Sequence, residues 1–272
     1  MEALDLVISV VAGLLIGFSM GTVGGGGAVL AVPVLVYGLG QTPLQATTGS
    51  LIVVGVTGII GAIIAHEQGR LDLGQGTVFG LAAIVGSAAG AVAAHQVPGS
   101  LLMALFALVM LVVAFTMVRR LAITPRGIPA QHLHEPLWRD GHPDWPRVAK
   151  VAVLATAVGA LTGFLGVGGG FMIVPALTLV LGVPMKKAAG TSLMVIAINC
   201  VAALVTRLVT APAEVQPQWS SITVITIMAA LGLGVGTAVQ ARANSRQLAT
   251  GFAALVGVVA VYTVVRAVPT LF

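Results

Sequence analysis

Gly24-Gly25-Gly26-Gly27-Ala28-Val29-Leu30-Ala31-Val32-Pro33 decides the fold, because residues 166–175 repeat it as Gly166-Val167-Gly168-Gly169-Gly170-Phe171-Met172-Ile173-Val174-Pro175. Glycine costs a helix about 1 kcal/mol relative to alanine and leaves its backbone bare. Both clusters stand inside long apolar stretches almost free of charge. Two such breaks at matching places predict a membrane protein that needs accessible backbone at membrane depth. That need points to movement of a solute.

Composition sets the class. Of the 272 residues, 58% are hydrophobic and 8% charged, and the mean hydropathy is +1.07. A soluble domain carries about 25% charged residues, so the chain reads as an integral multi-pass membrane protein. Segments such as 4–21, 50–65, 101–118 and 251–265 are apolar and uncharged. They approach the roughly 20 residues a membrane helix needs. Their apolar runs are continuous rather than alternating, which disfavours a β-barrel. The net charge of +5 does not imply a nucleic-acid partner. The basic residues lie between apolar segments, with no basic stripe and no interleaved aromatics. Glu2 and Asp5 stand where a signal peptide would be basic, so the first segment is expected to stay. Cys200 alone excludes an intramolecular disulfide.

The glycine motif is part of a longer duplication. At a shift of 142, residues 17–53 align without a gap, and 14 of those 37 positions match. Gly17 meets Gly159, Gly21 meets Gly163, Pro33 meets Pro175, and Ser50-Leu51 meets Ser192-Leu193. A second block at a shift of 146 pairs Gly86 and Gly90 with Gly232 and Gly236. The chain therefore divides into a first repeat, 1–120, a cytoplasmic linker, 121–146, and a second repeat, 147–272. Each repeat holds five apolar elements: 4–22, 27–40, 44–66, 74–95 and 99–119, then 148–165, 170–182, 188–209, 218–240 and 248–268. The second element of each is only about 20 Å long, against a membrane core of about 30 Å. It is expected to enter the membrane without a full span, or to pack on its neighbour at the glycine break.

Charge supports this count. With the N-terminus outside and ten alternating elements, the inner loops hold 11 of the 13 basic residues, leaving Arg207 and Arg266 outside. Four crossings per repeat give 9 inside and 4 outside. An odd number of elements inverts one repeat relative to the other, a recurrent transporter plan. The predicted fold is thus all-α, a polytopic helical bundle of two inverted repeats with short or broken helices at the glycine motifs. The linker carries His132, His134 and His142, whose spacing fits no metal-ligand pattern.

Neither glycine cluster fits a nucleotide loop. No βαβ context exists and no Gly-Lys-Ser/Thr follows. Gly17/Gly21, Gly159/Gly163, Gly86/Gly90 and Gly232/Gly236 have the spacing of close helix packing. The consecutive glycines do more than packing requires. They free amide N–H groups just before a short helix, a combination that attracts anions. Candidate binding residues are Gly24, Gly26, Gly27, Gly168, Gly169 and Gly170. Small hydroxyls open the following element: Thr48 and Ser50 in the first repeat, Thr191 and Ser192 in the second, with Asn199 two turns on. Such groups hold an oxyanion without the cost of a buried lysine, although each can also bond its own helix carbonyls. His66, Glu67 and Arg207 near the helix ends are candidates for coupling or gating. No catalytic triad or buried carboxylate pair is evident, and no metal site or cofactor is expected.

On these motifs, with Ala46-Thr47-Thr48-Gly49-Ser50-Leu51 and Ala188-Ala189-Gly190-Thr191-Ser192-Leu193, the chain resembles the TauE/SafE family of sulfite and organosulfonate exporters. The pattern covers nearly the whole chain. The second copy is close to the family form; in the first, Ala28 replaces a glycine and Gly49 a threonine. The resemblance implies a multi-pass secondary transporter of the bacterial inner membrane. It would carry a small sulfur-containing or carboxylate anion such as sulfite, sulfoacetate or thiosulfate, and it admits a homodimer. The alternatives are a carrier of another small solute and a non-transporting membrane scaffold or assembly factor.

Overall fold

The structure is a computed structural model, described over residues 3–94, 99–123, 138–139, 142–165, 170–210 and 218–267. Its first five helices are α1 (Ala3–Val23), α2 (Gly25–Gly38), α3 (Pro43–Glu67), α4 (Leu73–Ala94) and α5 (Gly99–Ile123). A two-residue antiparallel pair follows, β1 (Trp138–Arg139) with β2 (His142–Pro143). The second five are α6 (Trp145–Leu165), α7 (Gly170–Val180), α8 (Met185–Thr210), α9 (Trp219–Arg242) and α10 (Ser245–Ala267). Each repeat thus has the five expected elements. The last helix of the first repeat ends at Ile123, and the first helix of the second begins at Trp145.

Local chemistry sets the helix starts. Thr42 Oγ1 accepts the Gln45 N–H and Gln45 Oε1 accepts the Thr42 N–H, both at 3.3 Å, which caps α3 ahead of Pro43. Asp72 Oδ1 accepts the Gln75 N–H at 3.0 Å and caps α4. The two short helices share one irregularity. Proline has no N–H to donate, and after Pro33 and Pro175 the ladder widens into π-helix over Val34–Gly38 and Ala176–Val180. Both then turn at a glycine with positive φ, Gly40 at 63° and Gly182 at 68°.

Glycines pack the long helices in crossed pairs. α1 runs parallel to α9: Gly13 lies on Ile225, Gly17 on Ala229 and Gly21 on Leu233. α4 runs parallel to α6, with Gly86 on Thr156 and Gly90 on Ala160. The first helix of each repeat therefore packs on the fourth helix of the other. α3 and α8 pack antiparallel, Gly55 against Cys200 and Gly61 against Leu193. α5 pairs with α10 through Met110, Val113, Phe252 and Val256. Lipid supplies no hydrophobic drive between helices, so these close backbone contacts carry the association. Among the described residues seven helices are long and apolar enough to cross a membrane, and Val85, Val153 and Val258 are among the apolar side chains exposed on the outside of the bundle.

The short helices fold back as hairpins. Gly27 packs on Ile16 and Met20, and Gly38 ends beside Ile8, so α2 returns along α1 to its starting end. At that end Gln41 Nε2 donates to Gln218 Oε1 at 3.4 Å. α6 enters beside α4 from the opposite end, which holds Arg70. α7 leads into α8 at that same end, where Lys186 Nζ donates to the Ala241 carbonyl at 3.1 Å. The charge count has every element change side. Here α2 folds back along α1 from within the bundle, and α7 ends where α6 begins. The segments after α2 and α7 thereby lie at the ends that count gives them.

Candidate functional site

The hairpin tips meet inside the bundle. A Cβ on Gly25 would stand 1.9 Å from the Gly170 carbonyl oxygen, and one on Gly170 would stand 2.7 Å from the Gly25 carbonyl oxygen. Only glycine on both sides allows this contact. Gly24 turns the chain at φ 79° and ψ −130°, a conformation closed to side-chain-bearing residues. Its N–H still donates to the Met20 carbonyl at 2.9 Å, ending α1. The next amide leaves the helix, and Gly25 N–H donates to Ser192 Oγ of α8 at 3.1 Å. Ser192 Oγ in turn donates to the Ala189 carbonyl at 2.8 Å. Gly26 faces the Phe252 ring and Gly27 the wall of α1, so all four glycines are buried.

The other predicted residues divide. Gly170 and Ser192 join Gly24, Gly26 and Gly27 at the tips. Thr191, fully buried, points away from them: its Oγ1 accepts the Asp72 N–H at 3.1 Å. Ser50 Oγ donates to the Thr47 carbonyl of its own helix at 2.9 Å. It occupies the position on α3 that Ser192 occupies on α8. Thr48 is buried one turn into α3, next to Gly49, which packs on Ile222. Asn199 is half-buried on α8, with Oδ1 enclosed and without a hydrogen-bond partner. His66 and Glu67 are exposed at the end of α3, apart from the tips. Gly168, Gly169 and the Arg207 side chain lie outside the described residues. Among the described residues no three acidic, histidine or cysteine side chains cluster as metal ligands.

Sequence reasoning missed the buried amides. Gln41, Gln75 and Gln240 are 3%, 0% and 4% exposed, at positions where an apolar residue would cost nothing to bury. Gln75 and Gln240, each enclosed by an otherwise apolar helix, were the available signal. A cavity of about 640 Å³ between α1, α2 and α10 is a different feature. Leu15, Leu30, Val34 and Val258 line it, and Tyr37 and Tyr262 meet edge to face at 6.1 Å on its wall. Its lining offers an anion few donors, and it lies apart from Ser192.

Ser192→Ala removes the acceptor of the Gly25 amide. A buried N–H left without a partner costs about 1–3 kcal/mol. Thermal unfolding of the purified protein is expected to show that loss as a lower Tm, with Ser192→Thr closer to the parent.

The stretch that holds the meeting tips lies within a region similar to known proteins. The family model for the sulfite exporter TauE/SafE matches residues 9–263. A protein described as a probable membrane transporter from Xylella fastidiosa (strain Temecula1) is 31% identical over 265 residues, 96% of each chain. The probable membrane transporter protein YunE of Bacillus subtilis is 26% identical over 220 residues, 76% of this chain and 79% of its own. No solved structure gives a significant match. The matched region takes in both glycine tips, α3, α8 and all four helices that pack them, and with it the chain belongs to the TauE/SafE family of membrane transporters.

Proposed function

We propose that the protein is a secondary transporter exporting a small sulfur-containing or carboxylate anion, such as sulfite, sulfoacetate or thiosulfate, across the bacterial inner membrane. The observation that carries this reading is the meeting of two glycine-tipped hairpins from opposite ends of the bundle. The repeats are read as inverted. The antiparallel packing of α3 on α8 supports this, as does the parallel packing of α1 on α9 and α4 on α6. Non-helical backbone at that depth is tolerated where protein buries it or water reaches it. In the arrangement described, protein buries it. Movement of one repeat against the other would separate Gly25 from Gly170 and open the tips to each side in turn. The freed amides and Ser192 then face the anion. An inside-negative potential drives export by about 2.3 kcal/mol per charge per 100 mV.

Efflux from proteoliposomes tests the reading. Vesicles loaded with sulfite, thiosulfate, sulfoacetate or a short carboxylate are expected to lose at least one of these faster than protein-free vesicles. The rate should rise with an inside-negative potential. Equal leakage for the whole panel would leave the scaffold reading standing. Orientation has its own test, using single cysteines in a Cys200→Ala background. Lys187→Cys and Asn244→Cys should label from the cytoplasmic side and Trp219→Cys from the other. Labelling of Lys187→Cys from the same side as Thr42→Cys, at the corresponding turn of the first repeat, would rule out the inverted arrangement.

A further inference from the structure

Arg70 sits in the link between the candidate spans Gln45–Glu67 and Leu73–Ala93, where an arginine ordinarily extends into water. Here it turns inward. Gly69, at φ 65°, reverses the chain, and Arg70 N–H donates to the Ala65 carbonyl at 2.9 Å. Its Nη1 donates to Gln240 Oε1 on α9. Its Nη2 is enclosed and has no hydrogen-bond partner. Burial lowers its pKa from the ordinary value, yet an arginine keeps its charge in a protein.

Gln75, 0% exposed, has neither Nε2 nor Oε1 in a hydrogen bond. It lies one turn into α4, beyond Asp72, whose N–H is held by Thr191. Consecutive residues of α8 tie these groups to the hairpin. Ala189 packs on Gly24, Gly190 lies under the Arg70 carbonyl, and Thr191 holds Asp72. On α9, Gln240 stands one turn beyond Gly236 and Thr237, on which Gly21 packs. Arg70 therefore stands next to the first hairpin tip, on the side of the bundle end it guards.

We propose that Arg70 recognises the transported oxyanion at this mouth, its guanidinium held by Gln240 and its second nitrogen offered to the anion, with the Gln75 amide as a further donor. The proposal rests on the anion-transport reading and adds the residue that selects the charge. A guanidinium fork suits the oxygens of a sulfonate, sulfite or carboxylate group better than a point charge does. Neutral solutes gain nothing from it.

The test is efflux kinetics of Arg70→Gln, Arg70→Lys and the exposed control Arg242→Gln in proteoliposomes, with Tm measured on each protein with and without sulfite, thiosulfate and sulfoacetate. Arg70→Gln should raise KM for the transported anion about tenfold or more, the loss of one charge-assisted hydrogen bond. Its maximal rate should change less, and it should lose the anion-induced rise in Tm. Arg70→Lys should fall between it and the parent, and Arg242→Gln should match the parent. A folded Arg70→Gln with parental KM and parental anion-induced Tm shift overturns the proposal, including the case where its basal Tm alone drops. If Arg70→Gln does not fold, a parental KM and Tm shift in Arg70→Lys overturns it. Absence of anion efflux from the parent protein refutes the transport reading instead.

Discussion

Gly25→Val is expected to abolish anion efflux while the chain still inserts into the membrane. The new Cβ would fall 1.9 Å from the Gly170 carbonyl oxygen and 2.6 Å from its carbon. Both are backbone atoms, so no flexible side chain can swing aside. The hairpins must part. The Gly25 amide then loses Ser192, and Gly170 loses its close contact with the Gly25 backbone. Overpacking of this kind costs about 1–3 kcal/mol or more, and its effect falls where the hairpins meet. Efflux and Tm should both drop, efflux to the level of empty vesicles. Gly251→Val is the control, because nothing stands within 4 Å of a Cβ at Gly251. Parental efflux by Gly25→Val would remove the tips from the transport path.

A second large effect is expected from Gly86→Leu combined with Gly90→Leu. Each Cβ would stand 2.0 Å from a backbone oxygen of α6, Thr156 and Ala160 respectively. Gly159 and Gly163 press back on Ala83 and Ser87 at 2.2 and 2.1 Å, so the pair has no slack on either helix. In lipid that contact has no hydrophobic substitute. The doubly substituted protein should fail to give a monodisperse species after extraction in mild detergent. Gly234→Leu, on the exposed side of α9 with nothing within 4 Å, should extract like the parent. Size-exclusion profiles of the three proteins settle the comparison.

Much of this architecture is legible in the sequence because glycine and proline punctuate so strongly in a membrane. The register of Gly17 with Gly159 and Pro33 with Pro175 gave two sets of five elements, and the helices fall close to those bounds. The shortness of residues 27–40 signalled incomplete passage. It did not say that Gly38 would end beside Ile8, because a hairpin and a shallow span have the same length and hydropathy. The pairing of first with fourth helices across repeats was also hidden. The glycines that carry it mark close contact but name no partner. Ser192 was visible as a hydroxyl next to the motif. Thr191, its neighbour, proved to serve the α3–α4 link, a difference of about 100° around a helix that composition cannot resolve. Arg70 was counted only as a loop charge, since nothing in its neighbours tells an inward guanidinium from an outward one. Gln240 and Gln75 were the better clue.

The transported anion is expected to pass the touching glycine tips. A single cysteine at Ser192, in a Cys200→Ala background, tests it most directly. Ser192 is fully buried here, against Gly25. In a transporting protein reconstituted in one orientation, Ser192→Cys should react with a membrane-impermeant maleimide added to either side. The transported anion, chosen as sulfoacetate or a carboxylate so that it spares the reagent, should slow that reaction from both sides. A cysteine that stays unreactive from one or both sides while the protein carries anions, or that reacts at a rate the anion leaves unchanged, would contradict the account.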